Sequence, residues 1–283
     1  MDELRKICCL TRNLLYYEWS NKRVIMGFLV GMAVPFWWLK NFLDYAVSRG
    51  QPVNVLESFV VVEHSYKSIL FLALGWLLIV SDAPFVNGST FYSLCRTDKR
   101  SWNRAMVLYI FVQAALYTAA AALSMAAASA PWGYVGKMWS NPVYLLSRDF
   151  QMDLSAAYGI DFQHQEMMGR MNVPQAFLAT ALCFFLYLVL MGLILYTFRL
   201  LLGGVWGMVI TFAVHVGGYE LPYLGFWKYA LMEYARPANF MDGSGVHLEM
   251  PVLVFVLCGA VLVFLENLMI DRVDFKGEAG EET

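Results

Sequence analysis

Charge is what the chain has least of. Asp, Glu, Lys and Arg together make up 15% of its 283 residues, and hydrophobic types make up 59%. Soluble domains carry about a quarter charged residues, so a surface facing water on all sides is excluded. The mean hydropathy of +0.54 agrees. Net charge is −2, which gives no electrostatic footprint for nucleic acid. Cys8, Cys9, Cys95, Cys183 and Cys258 show no zinc-type spacing, and Cys8 and Cys9 are adjacent, so no disulfide framework is expected. Catalytic signatures are missing too. There is no GxSxG, no GxxxxGK[ST] and no HExxH around His64, His164, His215 or His247. No internal repeat or low-complexity linker occurs. The opening Met1-Asp2-Glu3-Leu4-Arg5-Lys6 lacks a clean apolar run before Arg12, so the first span is expected to serve as the uncleaved targeting signal.

What the chain has is long apolar runs. A helix needs roughly 20 mostly apolar residues to cross about 30 Å of hydrocarbon. Six segments meet or approach this: 24–47, 68–86, 105–131, 173–198, 200–219 and 251–270. The runs are continuous rather than alternating, which selects helices, because a helix satisfies its own backbone inside lipid. The expected fold is therefore all-α, a single polytopic membrane domain over 1–283 with six spans. Gly27 and Gly31, like Gly203 and Gly207, give the small-xxx-small spacing that lets helices approach closely, read here as packing within the chain.

Cations orient the spans. Arg5, Lys6, Arg12, Lys22 and Arg23 precede the first, Arg96, Lys99, Arg100 and Arg104 crowd the loop after the second, and Arg199 follows the fourth. All fall on one side of a six-span layout, which the positive-inside rule assigns to the cytoplasm with both termini. Residues 1–20 place Leu4, Ile7, Cys8, Thr11, Leu14, Leu15 and Trp19 near helical spacing, an amphipathic helix expected in the membrane interface. Residues 270–283 form an acidic cytoplasmic tail. Two long outer segments, 131–172 and 220–250, are rich in aromatics and suit interface-lying helices.

The segment with the most functional character is the inner loop 87–104. Ser89 or Thr90 can cap a short helix whose apolar side holds Phe91, Tyr92, Leu94 and Cys95, followed by the cations Arg96, Lys99, Arg100 and Arg104. Such a helix fits a groove on a soluble partner, and the same cations also act as positive-inside anchors. Ionisable groups within spans are costly. Asp82 is expected to play a structural part, by capping, by pairing with Arg96 or Arg199, or by meeting water. Glu266 is placed to pair with Arg199. His215 reads as a hydrogen-bonded core histidine.

With its N-terminal elbow helix, six spans, basic loop between the second and third, and outer helices before the sixth, this layout resembles the permease subunit of an ABC-type exporter of the second family. Ser81-Asp82-Ala83-Pro84-Phe85, then Tyr92-Ser93-Leu94-Cys95-Arg96-Thr97 and Trp102, resemble a bacterial subgroup of such permeases. The resemblance covers the whole chain in layout and about 25 residues in detail; the outer segment after the third span is longer than usual for the class. It implies a plasma-membrane protein that is not itself an enzyme and needs no cofactor or metal. ATP hydrolysis would occur on a separate ATP-binding subunit, coupled through Phe91, Tyr92, Leu94, Arg96, Lys99 and Arg100, with the permease a homodimer or heterodimer. A membrane-embedded enzyme, and a non-transporting sensor or immunity subunit, are the alternatives.

Overall fold

The computed structural model describes residues 2–83, 97–147, 158–160, 162, 164–242 and 245–272. These residues are helical almost throughout. In order they form α1 (Asp2–Glu18), α2 (Lys22–Ser48), α3 (Glu57–Glu63), α4 (Tyr66–Val80), α5 (Lys99–Ser129), α6 (Asn141–Leu146), α7 (Gln165–Arg170), α8 (Val173–Leu202), α9 (Gly204–Glu220), α10 (Leu231–Tyr234) and α11 (Glu249–Met269). Two-residue strands add small clips: β1 (Val53–Asn54) pairs in parallel with β2 (Gly133–Tyr134), and β3 (Met241–Asp242) pairs antiparallel with β4 (Gly245–Val246).

The long helices begin where side chains satisfy their open N–H groups. Asn21 caps α2 by accepting from Arg23, and Asp98 caps α5 by accepting from Ser101. Asn172 and Gln175 form a reciprocal capping box on α8, with Pro174 in its first turn. Gly203 ends α8 at φ +85°, a conformation that favours glycine, and there the chain turns back into α9.

The helix α8 is central: 72% of its most apolar stretch is buried, against 11% for α11. Among the described helices, α2 and α4 pack together most extensively. A Cβ on Gly27 would lie 2.6 Å from the Gly75 carbonyl, and one on Gly31 would lie 2.3 Å from the Tyr117 hydroxyl. Tyr117 reaches from α5 into this seam and donates to the Leu72 carbonyl at 2.7 Å. Gly27 and Gly31 thus pack within the chain. Gly207 also packs internally, where a Cβ would lie 2.8 Å from Arg199 Cβ.

Among the described residues, four helices are long and apolar enough to cross a membrane: α2, α5 with its continuation to Trp132, α8 and α11. The expected second span is not one straight helix. α4 has 15 residues, and α3 precedes it at an angle of 93°, so the two count as a fifth span only together. The expected fifth segment forms α9, whose 17 residues, about 25 Å long, fall short of a full span. Among the described residues, length and composition thus support four of the six expected spans, or five with the bent pair. Around the bundle, Trp37, Leu123, Leu178, Val205, Trp206, Val261 and Phe264 are exposed, the apolar exterior a bilayer requires.

Gly31→Leu drives a side chain into the Tyr117 ring and is expected to cost about 1–3 kcal/mol of stability. Gly217→Ala, where a Cβ meets nothing within 4 Å, is expected to be neutral or slightly stabilising. Thermal unfolding of the two variants in one detergent checks this, and equal midpoints would refute the seam.

Candidate functional site

One end of the bundle gathers the cations. α1 lies along α5 through a stripe at helical spacing, Ile7, Thr11, Leu14 and Glu18, all buried. The Thr11 hydroxyl lies 3.0 Å from its own helix at the Ile7 carbonyl and 3.1 Å from the Ala105 carbonyl of α5. Arg104 pairs with Glu3 across the same contact. Leu4, Tyr16, Tyr17 and Trp19 remain exposed on the other faces of α1 and beyond it. The amphipathic stripe of residues 1–20 therefore divides, one line docking on α5 and one left exposed.

The basic loop resolves into two parts. Its Phe91, Tyr92, Leu94 and Arg96 lie outside the described residues, and Lys99 to Arg104 already form the first turns of α5. Arg100 donates through Nη2 to Asp271 Oδ2 at 2.7 Å and through Nε to the same oxygen at 3.2 Å, while Lys99 reaches the Asp271 carbonyl at 3.5 Å. The start of α5 is thereby tied to the end of α11. These groups are exposed, so the tie contributes little alone.

Asp82 pairs with Arg23, at the start of α2, and not with Arg199. Arg199 donates to the Ser81 carbonyl instead. The expected Arg199–Glu266 pair is absent: Glu266 is buried and accepts from Thr197 at 2.8 Å. The expectation failed because Thr197 lies two residues before Arg199, on another face of α8. Between these groups, Asn103 accepts from Tyr196 at 2.7 Å and donates to Asn267 at 3.1 Å, joining α5, α8 and α11. Sequence reading passed over this triad, although an asparagine at the end of each of two apolar runs was the available signal. His215 is buried, with Nδ1 2.6 Å from the Tyr187 hydroxyl and Nε2 2.9 Å from the Leu70 carbonyl.

The opposite end holds groups read from sequence as loop residues. Glu57 is buried on α3 and accepts from the amides of Asn54 (2.9 Å) and Ser140 (3.0 Å), and from the Ser140 hydroxyl. Both Glu63 oxygens are buried without a hydrogen-bond partner among the described residues. The rings of His64 and His164 lie 4.9 Å apart, and both stand edge-on to Phe162. Burial, with the Arg236 charge nearby, pushes His164 down to about 3, so this imidazole is neutral. Arg236 lies over the Tyr66 ring at 3.9 Å and 3.8 Å from Glu233, which Tyr66 and Asn239 also bond. Among the described residues, no three His, Cys, Asp or Glu side chains are grouped to hold a metal ion.

Comparison with protein-family models, with curated proteins and with solved structures finds no match.

Glu18 supplies a pH test of the α1 contact. Burial, with Asp82 adding to it, raises its carboxyl to about 7 from 4.5. The folded state therefore holds a proton that the unfolded state releases. The stabilisation is present below about 4.5 and is lost as pH rises through about 7. Hydrogen exchange in α1 is expected to quicken, beyond its intrinsic pH dependence, from pH 5 to pH 8 in the unaltered chain and not in Glu18→Gln; identical profiles would refute it. Separately, Asn103→Leu is expected to cost about 1–2 kcal/mol by stranding Tyr196 and Asn267, read as a lower unfolding midpoint.

Proposed function

We propose that the chain is the membrane-spanning permease subunit of an ATP-driven ABC-type exporter, with ATP hydrolysed on a separate subunit. The observation that carries this reading is the seating of α1 along the first turns of α5. α5 is 31 residues, about 46 Å long, and emerges directly from the basic loop. A partner that moves the loop moves the root of α5. Through Thr11, Ile7 and Leu14 it carries the interfacial helix along, and through Arg100 it carries the end of α11. α5 passes Tyr117 into the α2–α4 seam on its way to the opposite end. A displacement at one end thus has a stiff route to the other.

In this reading the cation-rich end is cytoplasmic, with both termini, in a bacterial plasma membrane. α3–α4 forms a bent second span, and α9 a short fifth crossing that completes six. Phe91, Tyr92, Leu94 and Arg96 meet the ATP-binding subunit, and Lys99 and Arg100 stand at the edge of that contact. The permease works as a homodimer or heterodimer.

The test is purification of the tagged chain in mild detergent and identification of what accompanies it. An ABC-type ATP-binding subunit is expected; the chain alone, after chemical cross-linking in the membrane, overturns the reading and returns the enzyme and sensor alternatives. Topology has its own check, in a chain first stripped of its native cysteines. A cysteine at exposed Val135 is expected to label from outside intact cells and one at exposed Lys22 only after lysis. The reverse pattern contradicts the orientation.

A further inference from the structure

At the end of the bundle opposite the cations, a cavity of about 750 Å³ opens between the segment after β2 and the start of α8. That volume suits a ligand of small-molecule size. Its wall is stitched in place. The Trp139 indole donates to the Met171 carbonyl at 2.8 Å, and the Val173 amide donates to the Lys137 carbonyl at 3.1 Å. Gln165 donates to the Ser147 carbonyl at 2.8 Å and holds α7 against the end of α6. The site is thus held open by hydrogen bonds to backbone carbonyls that involve neither of its charged side chains.

The lining has a definite chemistry. Lys137 and Arg170 are the charged side chains among the described residues that form it, and no carboxylate is among them. Arg170 shares its charge with Glu166, 3.2 Å away on the same helix, whereas Lys137 makes no salt bridge among the described residues. Beside the cations stand Trp139, Tyr144 and the methionines Met138, Met168 and Met171. An occupant must therefore offer an anion to the cations and apolar matter to the rest.

The surroundings say where that occupant comes from. Trp132, at the end of the apolar α5, is half exposed, as is Tyr144, and Val135 and Met138 are more than three-quarters exposed. Aromatic rings and bare aliphatic groups next to a long apolar helix mark the level of the membrane surface. We propose that this cavity binds the phosphate-bearing headgroup of an anionic lipid, with Lys137 and Arg170 on the phosphate and the Trp139–methionine wall on the glycerol and upper acyl carbons. The lipid enters sideways from the leaflet that surrounds α5. Lys137 makes the larger contribution, since its charge is not already shared with a carboxylate.

Gly169 supplies a way to block the cavity without touching a cation. It lines the opening, and a Cβ built on it meets nothing within 4 Å among the described residues. The experiment is native mass spectrometry of the full chain in mixed micelles with equal phosphatidylglycerol and phosphatidylcholine. Phosphatidylglycerol is expected to be retained in several-fold excess. The double variant Lys137→Gln/Arg170→Gln is expected to lose that excess, and Gly169→Trp, with both cations in place, to lose it as well. Thermal midpoints in the same detergent separate loss of lipid from loss of fold, and if the double variant melts early, Gly169→Trp decides. Equal retention of the two lipids by the unaltered chain overturns the proposal, as does an excess that survives in a folded Gly169→Trp. Displacement of the lipid by millimolar inorganic phosphate also overturns it, because the cavity is then a site for free anions.

Discussion

The approach of α2 to α4 at Gly27 and Gly75 is the constraint on which the rest of the bundle rests. Inside lipid, helices gain no hydrophobic stabilisation from meeting one another, and close van der Waals contact must substitute. Two glycines remove the side chains that would hold the backbones apart, and Tyr117 fills the remaining space with its hydroxyl on the Leu72 carbonyl. That single ring fixes α5 against the pair, and α5 in turn carries α1 at one end and the β2 clip at the other. α8 then packs against α3, α4, α5, α9 and α11 and closes the core. The periphery is held more loosely: α11 depends on Asn267, Glu266 and Asp271, all near one end.

The two ends differ in how they treat polar groups. At the cationic end the charges are mostly exposed pairs, Arg23–Asp82, Arg100–Asp271 and Arg104–Glu3. Such pairs are weak and salt-sensitive and form and break readily. At the opposite end Glu57, Glu63, His64 and Glu233 are buried. Glu57 is fully engaged by Asn54 and Ser140, and the Glu233–Arg236–Tyr66 group clamps the start of α4. Breaking those contacts is expensive, because a stranded buried charge costs several kcal/mol, so this end holds its shape. The lipid-level cavity between Lys137 and Arg170 is built on that stiffer end.

Much of the helical content was legible in the sequence because an uninterrupted apolar run has one stable form in hydrocarbon. The runs at 24–47, 105–131, 173–198 and 251–270 became α2, α5, α8 and α11 with ends shifted by a few residues. The α3–α4 bend was not legible. Glu57 and Glu63 lie outside the long apolar runs, and only the partners Asn54 and Ser140, the latter 83 residues away, make Glu57 tolerable inside. The Arg236–Glu233 pair was not legible either, since a buried pair and an exposed pair look alike in sequence. The Arg199–Glu266 pairing failed on rotation about the helix axis, which an apolar run does not encode. The Gly27–Gly31 seam was recognised because spacing alone specifies a helix face. The partner-facing residues before Lys99 rest on the loop's composition and on the resemblance it carries.

The central claim is that α5 transmits motion from the cationic end to the opposite one with α1 riding on it. Pulsed electron resonance distances in the partner-bound complex test it most directly. One spin-label pair joins exposed Tyr16 on α1 to exposed Leu123 on α5, and a second joins Leu123 to exposed Leu253, at the end of α11 away from its tie to Arg100. The account predicts that ATP leaves the first distance unchanged and shifts the second by several ångström. A second distance that ignores ATP, or a first that changes as much as the second, contradicts it.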